Sequence, residues 1–464
     1  MMSDPYEKLA TYLLSSTLAS PPTSEALQVH INAIRTTVVP KPGVLSTIWP
    51  GILQVLAYPI LTNEIITLLV DEVVEPIIAS GASTWEEIRR TVGDAETLLE
   101  TSKADTNSKV KKAAIGFLSF YDFSDGEQKG LEIVQEIVGI ITIENQPEGV
   151  ITRVENIIDQ FLTNYFAVRP TVIRSVLEIK KAGKYSATII SRVQELTLTI
   201  LRHNTTGVDD IPADLLNYTV GTQDDILAEL MTIQFYESLL DLYLPPTIFF
   251  ITKPTYLEIA NTCKSSAATN LERSAASRTL GRLSRSREDV FSEIDSSLGI
   301  VKNLTLRDEI DRTMLALIPG KYIATVNPQL IRNFPVSAAS LVDILLNWCH
   351  SKEALDLLRL DTPKLTKLPV PELLRVGKAL AESYHGKKVL VSLPGVMEVL
   401  LTRRERMGYR IMRLRGDIVE TLAESDSETL GLYWYDRVQE ERVRGHWGRE
   451  ENGEPKVDVM DRAA

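Results

Sequence analysis

The sequence predicts an all-α fold, a row of stacked helical hairpins, and three observations carry that prediction. Apolar residues recur at helical spacing along almost the whole chain, no segment alternates as a half-buried strand does, and Pro or Gly breakers fall at regular intervals. The chain has 464 residues, 44% of them hydrophobic, enough for a large core and too apolar for wholesale disorder. Two cysteines cannot staple a chain of this length, which excludes a disulfide scaffold.

The elements follow in order. The start, MMSDPYEKLA, carries Asp4, Pro5 and Glu7 where a secretory signal needs a positive and then an apolar region. A soluble, intracellular chain is expected, cytoplasmic with the nucleus also open to it, and the sequons at Asn204, Asn217 and Asn303 read as chance matches. The most apolar run, Ile48 to Leu61, stops at Asn63 and Glu64, short of the roughly 20 residues a membrane helix needs. It predicts a core helix and no membrane partner.

Leu131, Val134, Val138 and Ile141, then Val150, Val154, Ile157 and Phe161, then Ile189, Val193, Leu196 and Ile200 each form one helix face. Later stripes are Leu341, Ile344, Leu345 and Trp348; Leu373, Val376, Leu380 and Tyr384; and Ile411, Leu414, Ile418 and Leu422. The short runs 247–251 and 388–393 read as helix starts or connectors. Most intervals between breakers hold one or two amphipathic helices, whose apolar stripes only a neighbouring hairpin can cover. HEAT or armadillo units would fit roughly ten or eleven times. The competing architecture is a pair of compact multi-helix domains. The domain expectation is a single α-solenoid over 1–448, with an acidic front half 1–250, a Ser/Arg-rich interruption 264–289, a back half 290–448, and a disordered tail 449–464.

Charge is uneven. Residues 1–250 hold 18 Lys or Arg against 32 Asp or Glu, and residues 251–464 hold 32 against 30. An acidic front disfavours nucleic acid, whose phosphates need cations, and favours a basic protein partner. In 264–289, Arg273, Arg278, Arg282, Arg285 and Arg287 alternate with serines. This reads either as a phosphorylatable hinge or partner-binding loop, with Ser284 and Ser286 as acceptors, or as an exposed linker with a partial helix through Leu271, Ala275 and Leu283.

Motifs for chemistry are missing: no phosphate loop, dinucleotide turn, nucleophile elbow, zinc helix or calcium loop occurs. His30, His203, His350, His385 and His446 are scattered, so no metal ligands and no cofactor are proposed. Cys349 and His350 are adjacent and point about 100° apart on a helix, which suits a core thiol better than a nucleophile and base. Cys263 reads the same way. No catalytic residue is assigned and no enzyme is expected.

Two patterns are candidates for partner binding. Arg403, Arg406, Arg410 and Arg413 would form a guanidinium row on one helix face, an anchor for a carboxylate-rich partner or RNA phosphate, or else a solvated face balanced by Glu420, Glu424 and Glu428. Asp225, Glu229, Thr232 and Tyr236 would form a polar stripe opposite Ile226, Leu230, Ile233 and Leu240, offered to a partner or simply solvated.

The C-terminal quarter is similar to a known family. Pro371, Glu372 and Leu373 open a helix that holds Ala379; Lys388 and Leu390 follow, then Pro394, Gly395, Val396, Glu398 and Arg403, and after them ETLAESDSETLGLYWYDRVQEERVRGHW. In order and spacing these resemble the late repeats of the proteasome assembly chaperones: the non-ATPase regulatory subunit five of animal proteasomes and the fungal Hsm-three proteins, which are also named for a mismatch-repair phenotype. The Ser/Arg segment departs from that pattern. The resemblance implies a C-shaped, right-handed α-solenoid of HEAT/armadillo-like hairpins that is not an enzyme. It also implies that the protein, monomeric when free, binds the C-terminal small domain of a proteasomal AAA+ ATPase subunit and base assembly intermediates, and blocks premature docking on the core particle. The alternative is a general HEAT-repeat scaffold or adaptor, a mismatch-repair association included.

Overall fold

Helix starts coincide with short polar side chains that satisfy otherwise unpaired backbone donors. In the computed structural model, Asp94 accepts from the backbone N–H of Thr97 at 2.9 Å and Asp426 from that of Thr429 at 2.7 Å. Thr269 and Glu272 form a reciprocal capping box at the start of Asn270–Ser286. Helix ends at Gly81, Gly183 and Gly299 turn through the left-handed region, which glycine enters without a side-chain penalty. The structure describes residues 4–36, 40–58, 61–104, 106–124, 126–183, 185–203, 211–220, 225–402 and 408–445. The expected tail 449–464 and the Asn204 sequon lie outside them.

Among the described residues the chain is helical throughout, with no strand beyond one isolated bridge between Thr17 and Ser20. The 48–61 run lies partly in the helix Val44–Leu56, which buries Ile48, Trp49, Ile52 and Val55. No helix among the described residues is long and apolar enough to cross a membrane. The run 247–251 opens the helix Pro246–Lys264, whereas 388–393 overlaps the end of Tyr384–Val391. The predicted stripes are largely core: Val150, Val154, Ile157 and Phe161 are buried, as are Leu341, Ile344, Leu345 and Trp348. Tyr384 is 54% exposed because it starts a new helix instead of ending the one that carries Leu380.

The chain divides into two units, residues 1–218 with 223–235, and residues 219–222 with 236–464. The division falls inside the helix Ile226–Leu239, not at the Ser/Arg segment. In the first unit, Ser108–Leu118 packs on Glu148–Asn164, which packs on Ala187–Arg202, while Glu127–Gly139 packs on Val168–Ala182. In the second, Val342–Trp348, Val370–Ala381, Tyr409–Ala423 and Leu432–Arg444 follow one another in the same manner. Helices that skip their sequence neighbour to pack on the next but one define two parallel rows of hairpins. The fold class is therefore the all-α solenoid.

Candidate functional site

Most of the Ser/Arg segment is a helix, Asn270–Ser286, which bears out the partial helix expected through Leu271, Ala275 and Leu283 and corrects the reading of the segment as a hinge, loop or exposed linker. It buries Ala275, Ala276, Leu280 and Leu283, with Ser277, Thr279 and Ser284 buried beside them. Its arginines supply the ties that its small apolar face does not. Arg278 Nε donates to both carboxylate oxygens of Glu237 at 3.0 Å, and Arg282 donates to Glu237 at 3.2 Å and to Asp241. Arg273 donates to the Cys263 carbonyl at 3.3 Å, and Arg287 pairs with Asp289. Ser284 donates to the Gly281 carbonyl at 2.7 Å inside the core, out of reach of a modifying enzyme, whereas Ser286 is exposed at the last turn.

Arg285 leads to the most distinctive concavity of the second unit. Its Nε donates to the Leu317 carbonyl at 2.5 Å, and its Nη2 to the Ala316 carbonyl at 3.2 Å and to Asn347 Oδ1 at 2.7 Å. Asn347 Nδ2 in turn donates to the carbonyls of Leu315 and Ile318 at 3.2 and 2.6 Å. These bonds satisfy a helix C-terminus and fix one wall of a pocket of about 390 Å³. Lys321, His350, Lys352 and Glu353 complete it, all with exposed side chains. Its floor is Gly320, where a Cβ would lie 2.9 Å from Ala354 Cβ and 3.2 Å from Trp348 Cα, so only glycine allows the two segments this close. The Glu353 carboxyl is held below the usual carboxylate range by its own backbone N–H, then by the Ser351 hydroxyl, with Lys321 and Lys352 adding to the effect. This pocket was not legible in the sequence, because its members come from three segments whose only shared signal is positive charge.

The sequence-predicted stripe does not form a surface. Asp225 is exposed, but Glu229, Thr232 and Tyr236 are 6%, 0% and 0% exposed. Thr232 Oγ1 accepts from Gln194 Nε2 at 3.0 Å, and the Tyr236 carbonyl accepts from the Tyr256 hydroxyl at 2.9 Å. Ile226 is 46% exposed, whereas Ile233 and Leu240 are buried as expected, so the chain here is covered on both its apolar and its polar side. Of the arginine row, Arg403 and Arg406 lie outside the described residues. Arg410 and Arg413 are exposed on a helix that begins at Tyr409. Arg415, beside that row, is buried and paired with Glu441 at 2.6 Å. Cys349 is fully buried while His350 is exposed, and burial pushes the Cys349 thiol up to about 12 and the Cys263 thiol up to about 11. Neither thiol is poised as a nucleophile.

Residues 251–464 match the family model described as DNA mismatch repair protein HSM3, C terminal domain. Over these residues the chain is similar to that family. The basic pocket and the Ser/Arg helix both lie within that span. No curated protein matches the chain. Solved structures that align with it include a chain of the structure titled "Kap95p Binding Induces the Switch Loops of RanGDP to adopt the GTP-bound Conformation", at 12% identity, 95% of this chain, 60% of that chain and a TM-score of 0.48. A chain of the Kap95:Nup1 complex aligns at 12% identity over 91% of this chain and 58% of its own, TM-score 0.48. One from Kap121p bound to RanGTP aligns at 14% identity over 94% and 50%, TM-score 0.39. This chain thus spans 60% or less of the length of these three.

Proposed function

We propose that the protein is an assembly chaperone of the proteasome regulatory-particle base, which binds the C-terminal small domain of a AAA+ ATPase subunit and holds it from premature docking on the core particle. The observation that carries this reading is the family match over 251–464. Stacked hairpins, which offer a long continuous surface, and an acidic front half, which suits a basic partner domain, agree with it. On this reading the protein works in the cytoplasm by binding and not by catalysis, and the burial of both thiols is in keeping with that.

A pull-down of tagged protein at native expression level, resolved by size and analysed by mass spectrometry, tests the proposal. The expected result is a proteasomal ATPase pair in small complexes that lack the core particle. A second reading, a scaffold in a mismatch-repair assembly, is favoured by the description of the matched family as a DNA mismatch repair protein. Recovery of repair proteins without ATPases would replace the first reading by the second.

A further inference from the structure

We propose that the pocket lined by Arg285, Lys321, His350 and Lys352 seats the carboxylates of an acidic peptide segment from a protein partner. Several cations of this unit are neutralised at short range: Arg278 and Arg282 by Glu237, Arg375 by Asp343 and Glu372, Lys378 by Asp417, Arg415 by Glu441. Lys321 and Lys352 have no ion pair, although Glu353 lies in the same wall and the chain as a whole carries a formal charge of −12. Two ammonium groups in no direct ion pair, facing the single carboxylate of Glu353, leave the concavity net positive and have donors free to bind anions. Arg285 and Asn347 are spent on backbone carbonyls and keep the wall rigid, so the site is formed before the ligand arrives. Glu353 opposes a continuous phosphate chain but tolerates separate carboxylates, and no Phe, Tyr or Trp lines the pocket as a stacking platform for bases. Charge complementarity therefore selects an acidic peptide over nucleic acid.

This inference stands whether or not the partner is a proteasomal ATPase, and its test uses no proteasome component. The full chain is titrated into fluorescein-labelled hexaglutamate at low salt and followed by fluorescence anisotropy. Binding is expected, weakening as salt rises, and the double variant Lys321→Glu with Lys352→Glu should lose about tenfold or more in affinity. The same charge change at Lys302 and Lys367, exposed and outside the pocket, should leave affinity within about twofold. Should the Glu variant lose its helical circular dichroism, Lys321→Gln with Lys352→Gln carries the test. Equal losses in the pocket and control variants would overturn the proposal, as would no binding. Tighter binding of a single-stranded RNA oligonucleotide that depends on Lys321 and Lys352 would replace the peptide by nucleic acid.

Discussion

The ammonium of Lys180 is enclosed by the Asp214, Leu215 and Asn217 carbonyls at 2.6, 3.0 and 3.0 Å and lies 3.7 Å from the centre of the Tyr218 ring. It caps the short helix Ala213–Leu216, yet burial disfavours the charge and lowers its pKa to about 8 from 10.5, against the weaker pull of Asp214. Between those values the unfolded chain binds more protons than the folded one, so the Lys180 contribution makes stability rise with pH. Wild type should therefore gain on Lys180→Met from pH 8 to pH 10.5, by at most about 1.4 kcal/mol per pH unit. Denaturant unfolding of both proteins across that range checks it; a flat difference would mean the ammonium is solvated. Taking the difference removes the opposite trend from Tyr256 and Cys349, whose buried acids are raised in the folded state. None of this was legible in the sequence, because the carbonyls that enclose Lys180 lie 34 to 37 residues further along the chain. The single stripe residues were legible where burial follows spacing, as at Val154 and Ile157. They were not where a polar residue is buried by a partner far along the chain, as Thr232 is by Gln194.

At the scale of helices, adjacent hairpins are joined by polar pairs whose sequence separation reflects the repeat. Lys109 and Asp71 are 38 residues apart, Arg278 and Glu237 are 41 apart, and Lys378 and Asp417 are 39 apart. These three lie close to the 40–47 residues of the expected unit, whereas Lys103 with Glu136 and Arg375 with Asp343 are 33 and 32 apart. The Ser/Arg helix was only partly legible in the sequence because Ala and Ser make a thin apolar face. Thinness is what close packing uses there: a Cβ on Gly281 would lie 2.6 Å from Leu317 Cβ. Glycine to alanine inside a helix ordinarily stabilises by about 0.5–1 kcal/mol. Gly139→Ala, with open space around it, should show that gain, whereas Gly281→Ala should lose about 1–3 kcal/mol as Leu317 is forced away. Thermal unfolding of the two variants side by side decides it; a gain at Gly281 would show that the contact relaxes freely.

At the scale of the whole chain, the edge of the family match and the edge of the folded unit do not coincide. The match begins at residue 251, inside the helix Pro246–Lys264, whereas the second unit reaches back to Tyr236. The 15 residues between them are not a linker. Tyr236 is fully buried and its carbonyl accepts the Tyr256 hydroxyl, while Glu237, 7% exposed, takes both Arg278 and Arg282. A chain cut at 251 leaves those two guanidiniums without their shared carboxylate, opens the pocket that Tyr236 fills beside Tyr256, and truncates a helix. Loss of Glu237 adds little, because Arg278 and Arg282 are 50% and 32% exposed, but emptying the space of a fully buried aromatic side chain costs about 3–5 kcal/mol. For a unit of this size that lowers the melting temperature by about 6 °C or more. A fragment spanning 225–464, which keeps the helix Ile226–Leu239 whole, is therefore expected to melt cooperatively, and 251–464 to melt at least that much lower or not to fold. Circular dichroism melts of both fragments check it. Equal melting temperatures would mean that Glu237 and Tyr236 are spectators, and that the span recognised by sequence is itself the folding unit.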